Sequence, residues 1–153
     1  MSFKIEVKAD EVEAALRELG KKVTDLKPVF DDIGELLLYL VHENFENESA
    51  SDGKEWEELS PRYLDYKEKV KKEKKLQLSG RLADSIDFAS FSDHLILGSN
   101  LEYAPIHQFG GFAGRDKSSY IPARPYLPIT KNEEFYSEVV EEILSMLKEY
   151  IKT

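Results

Sequence analysis

The chain has 153 residues, of which 41% are hydrophobic and 33% charged, and its formal net charge is −9 at pH 7. This length and composition are typical of a globular protein, and we expect residues 1–153 to form a single domain with a sizeable core. The chain contains no cysteine, which excludes disulfides, thiolate metal ligands and a thiol nucleophile. Its negative charge disfavours general nucleic-acid binding, because phosphate backbones repel it.

Membrane association and secretion are also disfavoured. The longest apolar run, residues 33–41, is interrupted by Gly34, Glu35 and Tyr39. It is far shorter than the ~20 residues that a membrane-spanning helix needs. The N-terminal sequence lacks the basic start and apolar centre of a signal peptide. We therefore expect the protein to be in the cytoplasm.

The first part of the chain predicts one strand followed by helices. Apolar and polar residues alternate strictly over residues 3–8, as in a half-buried strand. Asp10 and Glu13 have the spacing of a capping box and predict the start of a first helix. Pro28 is typical of the first turn of a second helix. The apolar face of this second helix would be formed by Phe30, Ile33, Leu37, Leu40, Val41 and Phe45.

The rest of the chain predicts a turn, more helices and a hairpin. Asp52-Gly53 is a turn signal, and residues 60–77 predict a third helix with Pro61 in its first turn. Residues 79–86 predict a short helical turn, and residues 86–91 and 94–99 a β-hairpin.

Thr130 and Glu133 predict a capping box for a long closing helix. The fold class is therefore predicted to be α+β, with a small antiparallel sheet including a hairpin. This sheet would pack against three to four helices, among them the long C-terminal helix.

Residues 103–128 have the most unusual composition. They hold four of the six prolines and three of the eight glycines. Because proline removes a backbone donor and glycine weakens helices and strands, we expect irregular backbone here and a mobile loop at residues 110–120. Irregular surface segments commonly carry contact residues, so we predict that this segment binds other proteins.

Catalysis is the main alternative for this segment, and His107 is its centre. Tyr103 and His107 could share one helical face, and an imidazole there could act as a base. No serine, carboxylate or glycine-rich elbow nearby completes a catalytic set, which favours a hydrogen-bonding role for His107. His42 and His94 lack a second ligand at a recognised spacing. We expect no catalytic residue, no metal and no cofactor.

Two further residues and one charged run leave alternatives open. Arg124, between Pro122 and Pro125, fits an internal clamp or a contact with another protein equally well. Trp56 fits a buried anchor better than an exposed contact. The lysine-rich run at residues 67–75 lacks interleaved aromatic residues, so it fits a solvated helix face better than a nucleic-acid site.

Five motifs follow one another in a distinctive order. They are Asp52-Gly53-x-x-Trp56, Leu78-Ser79-Gly80-Arg81-Leu82, Leu97-Gly98-Ser99-Asn100, Tyr103-Ala104-Pro105-Ile106-His107-Gln108-Phe109-Gly110-Gly111 and Ile121-Pro122-Ala123-Arg124-Pro125-Tyr126-Leu127. In this order they resemble the Mu-like phage virion morphogenesis (tail completion) family. The resemblance covers residues 28–150, and the last two motifs are its most specific part.

The resemblance implies a non-enzymatic structural protein of a tailed phage or prophage, acting in tail completion or head–tail joining. It implies other tail or neck proteins as partners and a place in the host cytoplasm during assembly. It leaves open whether the protein forms a ring of identical subunits and whether it stays in the virion. The candidate interaction residues are Tyr103, His107, Gln108, Phe109, Arg124 and Tyr126. The alternatives are a metal-dependent or hydrolytic enzyme centred on His107 and a small regulatory binder using the lysine-rich run.

Overall fold

The structure, a computed structural model, describes residues 7, 9–58, 81–114, 116 and 119–152. Over these residues the chain forms five helices and two antiparallel two-stranded sheets, which confirms the predicted α+β class. The elements are α1 (Asp10–Gly20), α2 (Lys27–Asn47), α3 (Arg81–Ser85), β1 (Asp87–Ser90), β2 (Leu95–Gly98), α4 (Ala104–Phe109), β3 (Gly111–Ala113), β4 (Ser119–Ile121) and α5 (Ser137–Lys152). The third helix predicted at residues 60–77 lies outside the described residues, as does the strand predicted at residues 3–8 apart from Val7. No helix in the described ranges is long and apolar enough to cross a membrane.

The helix α2 is the centre of the fold. Pro28 lies in its first turn, as predicted, where the missing N–H has no intrahelical partner to lose. Five of the six residues predicted on its apolar face are buried, and Leu40 is half-buried. The N-terminal half of α2 packs with α1 and α5 in a first core, whose buried residues are Val12, Leu19, Val29, Phe30, Ile33, Leu37, Val139, Ile143 and Leu147. The C-terminal half contributes to a second core, formed by Val41, Phe45, Trp56, Leu82, Ile86, Ala104, Tyr126, Leu127 and Ile129.

Two predicted helix starts are wrong. The N-cap of α1 is Ala9, without a side-chain hydrogen bond, and Asp10 is already helical. Its carboxylate lies in the first turn, where negative charge favours the helix dipole. Thr130 caps no helix, because its hydroxyl oxygen accepts the N–H groups of Asn132 and Glu134 within a turn. The closing helix therefore begins later, at Ser137.

The predicted β1–β2 hairpin is confirmed, with shorter strands than expected. Phe88 pairs with Leu97 in its antiparallel register. Phe88 also packs on α2 at Gly34, which is buried within the helix. The Ser90 hydroxyl donates a hydrogen bond to Asp31, also on α2. The hairpin is thus fixed to the central helix.

Gly34→Ala should destabilise the protein, although alanine favours helices by about 1 kcal/mol over glycine. A methyl group at Gly34 would lie 2.4 Å from Cδ2 of Phe88. Such overpacking costs about 1–3 kcal/mol, so a lower urea midpoint is expected. Gly20→Ala is the matched control, since nothing lies within 4 Å of a methyl group at this exposed helical glycine. A wild-type midpoint for Gly34→Ala would contradict the packing of Phe88 on α2.

Candidate functional site

Residues 103–128 contain regular structure, contrary to the prediction of irregular backbone. Pro105 fits the first turn of α4, where a proline costs no hydrogen bond. Gly110 ends this helix with φ +73°, and its N–H donates to the carbonyl of Ile106 at 2.7 Å. The loop predicted at residues 110–120 contains the β3–β4 hairpin, in which Phe112 pairs with Tyr120. A helix followed by a hairpin therefore forms the candidate site.

Gly110 also allows a close approach between α4 and the chain that follows the hairpin. A methyl group at this position would lie 2.7 Å from the backbone nitrogen of Ala123 and 3.0 Å from the carbonyl oxygen of Ile121. The N–H of Arg124 donates to the carbonyl of His107 at 2.8 Å. These contacts hold the base of the hairpin against α4.

The side chain of Gln108 joins the two specific motifs of this segment. It is only 2% exposed, and its Oε1 accepts the N–H groups of Tyr126 at 2.9 Å and Leu127 at 2.8 Å. The Tyr126 hydroxyl donates to the carbonyl of Ala104 at 2.6 Å. Burial raises the pKa of Tyr126, so its hydroxyl stays protonated and can donate. Residues 126–127 are thus tied to both ends of α4.

Arg124 is buried and bonds within its own chain. Its Nε donates to the carbonyl oxygen of Glu57 at 2.8 Å, and its Nη2 donates to that of Glu58 at 2.9 Å. Burial lowers the pKa of Arg124, while the Glu57 and Glu58 carboxylates oppose this shift. These contacts favour an internal clamp, with main-chain carbonyls as the acceptors.

Side chains in and beside the second core also hold the backbone of residues 125 and 126. The Trp56 Nε1 donates to the carbonyl of Pro125 at 2.8 Å, and the ring is buried. Asn44 Nδ2 donates to the carbonyl of Tyr126 at 2.9 Å. The Phe45 ring stacks on that of Tyr126, with centroids 5.4 Å apart, and meets the Trp56 ring edge-on. Trp56 is therefore an anchor for the 124–127 stretch.

His107 is half-buried and meets the Tyr103 ring edge-on, with centroids 5.8 Å apart. Its buried Nδ1 atom has no hydrogen-bond partner among the described residues. Burial, and then the positive charge of Arg124, lower the pKa of His107. The described parts of the chain hold no group of three or more potential metal-ligating side chains. The imidazole therefore lies neutral against an aromatic ring at neutral pH.

This environment predicts a pH dependence of stability. Because the folded pKa of His107 is lowered, the unfolded chain binds the proton more readily. His107 should cost stability as pH falls below its unfolded value of about 6.5 towards its folded value. In His107→Phe that loss should disappear, so its urea midpoint should fall less than that of the wild type between about pH 8 and pH 5. Parallel midpoint curves would contradict the assignment.

The exposed part of the segment is aromatic. Four aromatic residues of the segment are exposed: Tyr103 at the N-cap of α4, Phe109 at its end, and Phe112 and Tyr120 in the hairpin. The hairpin contributes the most open pair, with Phe112 63% and Tyr120 61% exposed. These two side chains lie opposite each other in the register, and their ring centroids are 5.5 Å apart. We call the Phe112–Tyr120 pair the aromatic hairpin.

The structure divides the six candidate interaction residues into three groups by the exposure of their side chains. Tyr103 and Phe109 are exposed. The side chains of Gln108, Arg124 and Tyr126 are buried and bonded to backbone atoms, and His107 is half-buried. The accessible part of the candidate site is therefore narrower than predicted, because the polar residues of the motifs hold the segment together.

Sequence reasoning did not single out Phe112 and Tyr120. The sequence predicted a loop at residues 110–120. Without a strand register, the sequence could not show that Phe112 and Tyr120 lie opposite each other. An aromatic residue on each side of the short polar stretch at residues 114–118 was the available signal of a hairpin. Cross-strand aromatic pairs are a common stabilising unit of such hairpins.

Comparison with known proteins gives a consistent result. The model of the phage virion morphogenesis family matches residues 7–152. The chain is 31% identical over 144 residues to "Mu-like prophage FluMu G protein 2" of Haemophilus influenzae, covering 94% of each chain. It is 29% identical over 157 residues to "Putative capsid assembly protein G" of Escherichia phage Mu, covering 97% of this chain and 100% of that one. No solved structure shows a significant match.

Proposed function

This chain belongs to the phage virion morphogenesis family, a phage assembly family, and from that premise we propose that it completes the tail or joins the tail to the head. It does so through protein–protein contacts and catalyses no reaction. The observation that carries the proposal is the aromatic hairpin, an exposed aromatic pair on a firmly anchored base. Its partners are other tail or neck proteins, and it acts in the host cell during assembly.

Aromatic side chains support a contact role for physical reasons. They bury a large apolar area at a low cost in conformational entropy and are enriched in the centres of protein interfaces. Phe112 and Tyr120 each expose more than half of their surface in the free chain. The close packing of Gly110 on the backbone of Ala123 fixes the hairpin base, so little further ordering is needed on binding.

The use of the polar groups supports a non-enzymatic role. Gln108 and Tyr126 are the most deeply buried polar side chains of the segment, and both form hydrogen bonds with backbone atoms. Arg124 does the same with its Nε and Nη2 groups. His107 presents its Nδ1 to a buried environment. These side chains stabilise the platform that carries the hairpin.

Replacing both hairpin aromatics tests the proposal. Phe112→Ser/Tyr120→Ser should lower the urea midpoint only slightly, because both side chains are mainly solvent-exposed and a cross-strand aromatic pair contributes only about 0.2–1 kcal/mol. In a phage or prophage lacking its own copy of the gene, the variant should lower the yield of infectious particles at least about tenfold, the effect of losing ~1.4 kcal/mol of contact energy. Electron microscopy should show heads and tails that are incomplete or unjoined.

Tyr39→Ser is the matched control, since Tyr39 is an aromatic residue on α2 with 59% exposure and lies outside residues 103–128. It should support a wild-type particle yield. A normal yield from the double variant would overturn the assignment of the contact surface. An absence of heads, with tails intact, would replace the tail role by one in capsid assembly.

A further inference from the structure

The chain passes from α4 into the aromatic hairpin through two consecutive glycines. Gly110 has φ +73° and Gly111 has φ +143°, and residues with a side chain rarely adopt either angle. Gly111 is also the first residue of β3, where it pairs with Ile121 at the base of the hairpin. The direction in which the hairpin leaves α4 is therefore set at these two glycines.

The two glycines differ in the space around them. A methyl group at Gly110 would lie 2.7 Å from the backbone nitrogen of Ala123, so close packing requires glycine there. A methyl group at Gly111 would lie 3.9 Å from Cγ1 of Ile106, the nearest described atom apart from its chain neighbours, and this is an ordinary contact. Among the described residues, packing thus leaves room for a side chain at position 111, and only the backbone angle disfavours one.

A change of φ at Gly111 would turn the rings of the aromatic hairpin. Phe112 follows Gly111 directly, and Tyr120 lies opposite Phe112 in the register. An L-residue at position 111 favours negative φ, and rotation about its N–Cα bond moves Phe112 relative to α4. The other end of the hairpin is held at α4, because the Arg124 N–H donates to the carbonyl of His107. The rotation would therefore tilt the hairpin and leave it attached.

We propose that Gly111 is a positioning residue of the contact surface: its positive φ directs the Phe112–Tyr120 pair towards the partner protein, and assembly requires that direction. The inference rests on the proposed function, because it takes the aromatic hairpin as the surface that binds another virion protein. It adds that the direction of the rings matters as well as their presence. Specific interfaces are closely shape-complementary, so a tilted pair of rings would fit its partner poorly.

Gly111→Ala tests the inference because it keeps both rings of the aromatic hairpin. Purified variants are added to an extract of cells infected by a phage that lacks this gene, and infectious particles are counted. Gly111→Ala should lower the yield at least about tenfold, as expected for Phe112→Ser/Tyr120→Ser.

Gly114→Ala is the matched control for this measurement. Gly114 also has a positive φ, +80°, and it follows β3 on the far side of Phe112. A methyl group there would lie 3.6 Å from Oγ of Ser119, the nearest described atom, so it too meets no close contact among the described residues. Since Gly114 does not lie between α4 and the rings, Gly114→Ala should support a yield close to that of the wild type.

The direction of the hairpin is measured separately from its stability. The chain has no cysteine, so nitroxide labels can be attached to Ser119→Cys on β4 and Glu35→Cys on α2, both at exposed positions. Gly111→Ala should shift the distance between the labels, measured by double electron–electron resonance, and Gly114→Ala should not. An unchanged distance in Gly111→Ala with a lower urea midpoint would show that the substitution only strains the backbone, and it would overturn the inference.

Gly111→D-Ala, made by chemical protein ligation, provides a second variant. It carries the same methyl group as Gly111→Ala, but D-residues suit positive φ. It should therefore restore both the label distance and the particle yield. It also keeps the inference testable if Gly111→Ala does not fold, because a low yield from folded Gly111→D-Ala with the wild-type distance would contradict the role of the backbone angle.

The outcomes separate this inference from the proposed function. A low yield from Phe112→Ser/Tyr120→Ser, with a normal yield from Gly111→Ala despite a shifted label distance, would overturn the positioning role and leave the contact surface in place. Normal yields from both variants would overturn the proposed function as well.

Discussion

The Arg124→Ala variant is expected to lose about 2–5 kcal/mol of its free energy of unfolding. Arg124 is only 7% exposed, and its guanidinium donates at 2.8 and 2.9 Å to the carbonyl oxygens of Glu57 and Glu58. Hydrogen bonds from a charged donor contribute about 1.5–3 kcal/mol each. Truncation also removes the packed aliphatic stem. Urea unfolding should show a lower midpoint with an unchanged slope.

Arg124→Lys separates charge from geometry. Lysine keeps the positive charge but has no planar group that donates to two fixed carbonyls at once. The urea midpoint of Arg124→Lys should lie between those of Arg124→Ala and the wild type. If Arg124→Ala kept the wild-type midpoint and yet failed to support phage assembly, Arg124 would contact a partner and the clamp would be the wrong interpretation.

Local sequence predicted those elements of the fold that depend on short-range patterns. Pro28 and the apolar periodicity that follows it predicted α2, and alternation predicted the β1–β2 hairpin. The start of α5 was missed because Thr130 has two local uses. Its hydroxyl could cap a helix, but it accepts two N–H groups of a turn, and Ile129 pairs with Phe135 in an isolated bridge. The Thr130 hydroxyl is therefore used within this bridged turn, and the helix begins after it.

The candidate site was harder to predict because its bonds join distant residues. Arg124 reaches carbonyls 66 and 67 positions away, and Trp56 reaches the carbonyl of Pro125 at a separation of 69. The acceptors are main-chain carbonyl groups, which every residue has. The amino-acid sequence therefore does not indicate which residues provide them. The sequence therefore predicted a contact surface at residues 103–111 and 121–127. In the structure, most polar groups of these motifs make hydrogen bonds within the chain.

Gln108→Ala should have an effect similar in size, about 2–5 kcal/mol, for a different reason. The variant leaves the N–H groups of Tyr126 and Leu127 without their shared acceptor, in a region where both residues are buried. Each buried donor left unsatisfied costs about 1–3 kcal/mol. The urea midpoint should fall, and amide hydrogen exchange at Leu127 should become faster, because its N–H then lacks the protecting hydrogen bond.

Gln108→Met distinguishes the hydrogen bonds from the packing. Methionine fills similar space but offers only a weak thioether acceptor. If the two N–H bonds dominate, Gln108→Met should remain strongly destabilised and Leu127 should still exchange fast. Recovery of the wild-type midpoint in Gln108→Met would show that volume alone matters, and the link between α4 and residues 126–127 would then be apolar.

The aromatic hairpin depends on this link, because α4 and the stretch after β4 together form its base. A Gln108→Ala protein that stays folded under mild conditions should therefore also bind partners less tightly, since its hairpin would need ordering on binding.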